Sequence, residues 1–143
     1  MGTYVNQLAG PVTAMVGITV LAWLRLYQLR FAEMARRRID PQSIALSAQK
    51  DAGLSDTRGA DNFNNQFQLP VLFYLACVVG IFADGDAVLL QLAWAFVATR
   101  FVHALIQWTY NRVVHRFVAY ALGAVVLWAM WGRLAYGLWV HAR

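Results

Sequence analysis

Four apolar runs, each near the roughly 20 residues that a helix needs to cross a hydrocarbon core, constrain this chain more than any other feature. They are Val12–Leu29, Asn62–Phe82, Ala87–Trp108 and Phe117–Val140. None alternates with the period of two that a half-buried strand requires, and lipid offers no partner for an open sheet edge, so the runs read as helices. The expected fold is all-α: a four-helix transmembrane bundle forming a single integral membrane domain over residues 1–143. Composition agrees, since 60% of the chain is hydrophobic and only 13% is charged, against about 25% charged in a soluble domain.

The charge of +5 does not point to nucleic acid, which calls for clustered basic residues on a solvated face. Almost all the positive charge is arginine, and much of it abuts apolar runs. Arginine at a membrane edge accounts for it better. Cys77, the one cysteine, sits in an apolar run and excludes an intramolecular disulfide and a Cys-rich metal site. No basic residue precedes the first run and no small-residue cleavage site closes it, so it does not read as a removable leader.

Residues 30–61 form a long polar connection in which Asp40-Pro41 resembles a helix cap and Gly53 to Gly59 looks irregular. Residues 83–86 make a tight turn, and residues 108–116 join the last two spans. The first connection carries Arg30, Arg36, Arg37, Arg38, Lys50 and Arg58, and the third carries Arg112 and Arg116. Basic short loops stay cytoplasmic, so both termini are expected on the non-cytoplasmic side, in a membrane best matched by a bacterial inner membrane. Arg36-Arg37-Arg38 fits a contact with anionic lipid. Arg133 and Arg143 read as anchors, and Trp108, Tyr110, Tyr136 and Trp139 as interfacial aromatics.

Polar side chains inside spans are costly, on the order of 2.5–3.5 kcal/mol for a central arginine, and so are paired or functional. Arg100, His103, Gln107 and Asn111 follow one another at helical spacing on the third span. Asp61, Asn64 and Gln68 form a similar stripe at the start of the second, flanked by Asn62, Asn65 and Gln66. Arg116 and Tyr120 open the fourth span, and Arg25 projects near the end of the first. The topology brings all of these to one depth, where excess positive charge in a low dielectric calls for an anionic ligand. The alternative for the amides is interhelical hydrogen bonding, and for Arg25 extension to the headgroups. Haem is disfavoured because His115 and His141 do not share the depth of His103, and no carboxylates accompany the histidines to hold a metal. Pro70 is expected to kink the second helix.

The run Asp61-Asn62-Phe63-Asn64-Asn65-Gln66-Phe67-Gln68-Leu69-Pro70-Val71-Leu72-Phe73-Tyr74, followed by Arg100-Phe101-Val102-His103, Asn111, and Arg116 through Tyr120 to Gly123, resembles the MAPEG family, the membrane-associated proteins in eicosanoid and glutathione metabolism. The resemblance covers nearly the whole chain. It implies a homotrimer that binds glutathione as co-substrate between subunits near the cytoplasmic leaflet, with no metal. It implies a lipophilic small molecule as second substrate, arriving among the membrane lipids.

Asn64, six residues before Pro70, stands where the family's glutathione-binding Asn lies. Arg116 is the counterpart of the thiolate-stabilising Arg, and Arg100 of the helix-three Arg; Arg25 or Arg30 stands for the helix-one Arg. Phe67 and Gln68 replace a Glu and a Tyr of the eicosanoid-forming enzymes, while His103 and Gln107 replace helix-three tyrosines. In the catalytic reading, Arg116 favours the glutathione thiolate, with Tyr120 as an orienting donor and Arg100, Asn64 and Gln68 holding the peptide. The other reading is a non-catalytic lipid- or protein-binding member of the same family.

Overall fold

The computed structural model describes residues 6–83 and 85–141. Asp84 and Arg143 lie outside the described residues. Helix α1 covers Ala9–Arg37, α2 Ser47–Gly53, α3 Arg58–Asn65, α4 Leu69–Phe82, α5 Ala87–Trp108 and α6 Val113–His141. No strand occurs among the described residues. The candidate spans are Asn6–Arg37, Arg58–Phe82, Ala87–Trp108 and Val113–Val140, so the expected four-helix membrane architecture is what forms.

Helix α1 runs two turns beyond the apolar run at its C-terminal end. Pro11 does not interrupt it, because the amide of a first-turn residue has no intrahelical partner to lose. It stops where Arg38 turns left-handed (φ 54°), letting Ile39 N–H donate to the Met34 carbonyl at 3.0 Å, the closure that ends many helices. Asp40 then caps a short 3-10 turn over Pro41–Ile44 by accepting from the Gln42 amide at 3.1 Å.

The second span is a broken helix. Residues 66–68 separate α3 from α4, with Gln68 at φ −102° and ψ −108°. Pro70 therefore occupies the second position of a new helix, where its missing N–H costs nothing. This is a larger effect than the expected kink, and it lets α3 set its polar face independently of the apolar α4.

The core lies between α1, α4, α5 and α6. Met15, Phe73, Ala76, Ala93, Phe96, Leu127 and Met130 are all fully buried there, and Phe73 stacks on Phe96 with centroids 4.7 Å apart and planes 15° from parallel. In lipid, packing rather than transfer from water holds helices together, which favours small residues at contacts. A Cβ on Gly59 would lie 2.8 Å from Leu26 Cα, and one on Gly123 would lie 2.9 Å from the Thr99 hydroxyl. These glycines set the approach of α3 to α1 and of α6 to α5. Exposed Val20, Leu24, Trp94, Phe101, Val125 and Trp128 give the bundle an apolar exterior.

Two polar clusters close opposite ends. At the end carrying the first and third connections, buried Glu33 accepts from Ser55 N–H (2.8 Å), Ser55 Oγ (2.6 Å), Asp56 N–H (3.2 Å) and Arg37 Nη1 (2.8 Å). At the other end Asp86 caps α5 by accepting from Leu89 N–H at 2.9 Å and pairs with Arg133 on α6, whose Nε lies 3.1 Å away. Arg133 is thus an ion-pair partner as well as a boundary residue.

Candidate functional site

Arg100, His103 and Gln107 fall on one face of α5 because helical spacing of three and four residues aligns them, and all three are buried. That face meets α3. The Arg100 side chain has no solvent-accessible surface and donates from Nη2 to the Asn65 carbonyl at 3.0 Å. Asn65 Nδ2 donates to Gln107 Oε1 at 3.2 Å and lies 3.4 Å from His103 Nε2. The other ring nitrogen, Nδ1, is 3.1 Å from the Arg116 carbonyl. A carbonyl only accepts, so Nδ1 carries the proton and Nε2 is left as an acceptor.

Helix α6 supplies the second wall. Tyr120 lies beneath Arg100, with the guanidinium carbon 5.5 Å from the ring centroid, and its ring is 5.8 Å from that of His103. Such a cation–π contact is worth about 2 kcal/mol when desolvated. Arg116 is half-buried, and its Nη1 donates to Asn111 Oδ1 at 2.9 Å. Asn111 reaches that position because it is left-handed (φ 47°), a conformation that asparagine tolerates better than most residues. The turn after α5 therefore orients the arginine that opens α6.

Asn65, His103, Val113, Arg116, Phe117 and Tyr120 line an open cleft of about 240 Å³. Arg100 Nε and Nη1 are buried without hydrogen-bond partners. No ion pair among the described residues involves Arg100 or Arg116. Asp61, the acid nearest in sequence to the amides, accepts instead from the Thr57 hydroxyl at 2.9 Å and is exposed. The cleft lining thus combines the Arg116 guanidinium, the His103 ring, the Asn65 amide and the Tyr120 phenol, with Arg100 enclosed behind it, and lacks a carboxylate. Buried guanidinium nitrogens in that state have unused capacity for an anion.

Of the residues singled out from sequence, Arg100, His103, Gln107, Arg116 and Tyr120 come together. Asn64 and Gln68 are exposed and do not line this cleft within one chain. Arg25 donates to Gln28 on its own helix at 2.7 Å and is not part of the cluster. Asn65, ranked among the flanking amides from sequence, ties α3 to the Arg100–His103–Gln107 face of α5. Its neighbours Asn62 and Gln66 are buried as well: Asn62 Nδ2 donates to the Ala104 carbonyl at 3.3 Å, and Gln66 Nε2 donates to Asn62 Oδ1 at 3.1 Å. The signal that finds them is the stripe Gly80, Cys77, Phe73, Pro70, which continues at the same spacing to Gln66, Asn62 and Gly59. Among the described residues no three His, Cys, Asp or Glu side chains gather as a metal site would require.

Fold and cleft together define an integral membrane protein of the all-helical class with a cationic, amide-lined site at one end of its bundle. The chain belongs to the MAPEG family, whose profile matches residues 8–136. Comparison with curated proteins and with solved structures gave no match.

Proposed function

We propose that this protein is a glutathione-dependent transferase or peroxidase acting on lipophilic electrophiles, with Arg116 stabilising the thiolate. The observation that carries the reading is Arg116 in the cleft lining with Arg100 enclosed directly behind Tyr120 and Asn65, and no counter-charge paired with either among the described residues. Glutathione brings two carboxylates and a thiol. A guanidinium near the sulfur favours its anionic form by direct electrostatics, without itself moving a proton. Arg100, enclosed behind Asn65 and Tyr120, adds its positive charge to the cleft wall, and Asn65 and Gln107 hold Arg100 and His103 in place. The exposed side chains of Val113 and Phe117 leave an apolar wall by which a membrane-borne electrophile reaches the sulfur.

The homotrimer implied by the family is supported by the exposed face of α4. Val71, Leu75, Val78 and Phe82 are exposed at spacings of four, three and four residues, the seam spacing of helices that pack on copies of themselves. Asn64 and Gln68 are exposed near the same end, which leaves them available to a neighbouring subunit in such an assembly. The arginine distribution supports loops one and three on the cytoplasmic side and both termini opposite.

Activity is tested in nanodiscs by glutathione consumption against a lipophilic aryl halide and a fatty hydroperoxide. Turnover that falls at least about a hundredfold in Arg116→Ala, the scale of losing one electrostatic stabiliser, supports the proposal. One observation favours the non-catalytic reading: no carboxylate lines the cleft to meet the glutathione ammonium. Saturable binding without turnover of either electrophile identifies that case.

A further inference from the structure

The pair α5 and α6 has a second concave face, separate from the polar cleft. A groove of about 460 Å³ runs along it, walled by Val102 and Ile106 of α5 and by Val118 and Leu122 of α6. The small residues Ala98, Thr99 and Ala119 also line it. At one end stand Tyr110 and His115, exposed and joined by a contact of 3.1 Å between the phenol oxygen and Nδ1. Arg112, between them in sequence, is exposed and forms no ion pair among the described residues. No acidic residue lines the groove.

Dimensions and polarity both select the occupant. The wall from Ala98 to Ile106 rises about 12 Å and Tyr110 lies a further turn on, giving roughly 15–18 Å, the depth of one leaflet in a hydrocarbon core about 30 Å thick. One end is polar, lined by Tyr110 and His115 with the exposed Arg112 in the connection between them, and the rest is apolar. The larger groove between α1 and α5, of about 800 Å³, has no charged or aromatic hydroxyl group at either end and selects nothing. We infer that the α5–α6 groove is a binding site for a bilayer phospholipid of net negative headgroup, its acyl chain lying against Val102, Ile106, Val118 and Leu122 and its phosphate beside Tyr110, Arg112 and His115. This site is independent of the glutathione reading, since it shares no lining residue with the polar cleft.

The test is native mass spectrometry of the delipidated full chain after exposure to mixed micelles of phosphatidylglycerol or phosphatidylcholine. Phosphatidylglycerol is retained over phosphatidylcholine by roughly five-fold, the scale of one basic side chain near a headgroup. Arg112→Glu abolishes the preference and Val118→Trp, which fills the groove from an exposed position, reduces retention of both lipids. Val16→Trp, in the α1–α5 groove, changes neither. Equal retention of the two lipids, a preference unchanged by Arg112→Glu, or retention unchanged by Val118→Trp overturns the assignment. So does a change in the number of chains per complex in Val118→Trp with lipid retention unaltered, which makes the groove a contact between copies.

Discussion

The Arg100 guanidinium donates to the main-chain carbonyl of Asn65 at 3.0 Å, joining residues 35 positions apart in the chain. The contact satisfies one nitrogen of a wholly buried cation, while Nε and Nη1 find no partner. A carbonyl at the end of α3 is free to accept it because the helix stops at Asn65 and the chain unwinds before α4. The break in the second span thus positions the first contact of the site.

Asn65 should matter more to the unliganded fold than Asn64. Its amide bonds Gln107 and approaches His103, whereas Asn64 is exposed. Asn65→Ala should cost about 1–2 kcal/mol through the partners it leaves unpaired, and Asn64→Ala less than about 0.5 kcal/mol. Thermal unfolding of the two variants in detergent checks the order, and equal losses would show that Asn65 does not brace the cluster.

Glu33 should hold the first connection against α1. Four donors converge on its buried carboxylate, and Arg37 reaches on to the Gly53 carbonyl at 2.8 Å. Glu33→Ala leaves these groups without their acceptor, at about 2–3 kcal/mol for hydrogen bonds to a charge. Limited trypsinolysis should then cut faster after Lys50. An unchanged cutting rate would mean that the segment is held by other contacts.

The Asp86 pin should fail in acid. The Leu89 amide and, after it, the Arg133 guanidinium hold the Asp86 carboxyl below its ordinary 3.8, against burial, which pushes it up. A folded-state value below the unfolded one stabilises fully above pH 3.8 and is lost as pH falls through the folded value. Both side chains are about a third exposed, so solvent screening keeps the neutral-pH gain over Asp86→Asn under about 1 kcal/mol. Unfolding of both forms across pH should converge in acid, and a constant difference down to the lowest pH would contradict the assignment.

Much of this arrangement is legible in the sequence, and what is not has identifiable causes. Helix α5 has the bounds of its apolar run, and spacing alone puts Arg100, His103 and Gln107 on one face. The phase of α3 is harder to read, since Asp61, Asn64 and Gln68 form as regular a stripe as Asn62, Asn65 and Gln66. Only the buried face continued back from α4 through Pro70 decides which set turns inward. Pro70 itself reads as a kink in one helix, yet it sits at the start of another, a distinction made by the backbone at Gln68 rather than by any residue type. Arg25, expected from sequence at the depth of the site, bonds within its own helix, because depth does not fix azimuth.

The central claim is that Arg100 and Arg116 make the cleft a place where a thiol becomes an anion. Ultraviolet difference absorbance of the purified protein, titrated with glutathione at neutral pH, measures this directly. A thiolate band should grow to saturation in the native chain, vanish in Arg116→Ala and weaken at least about tenfold in affinity in Arg100→Met, the loss of one buried charge contact. No band at millimolar glutathione, or a band of equal size and affinity in both variants, would contradict the account.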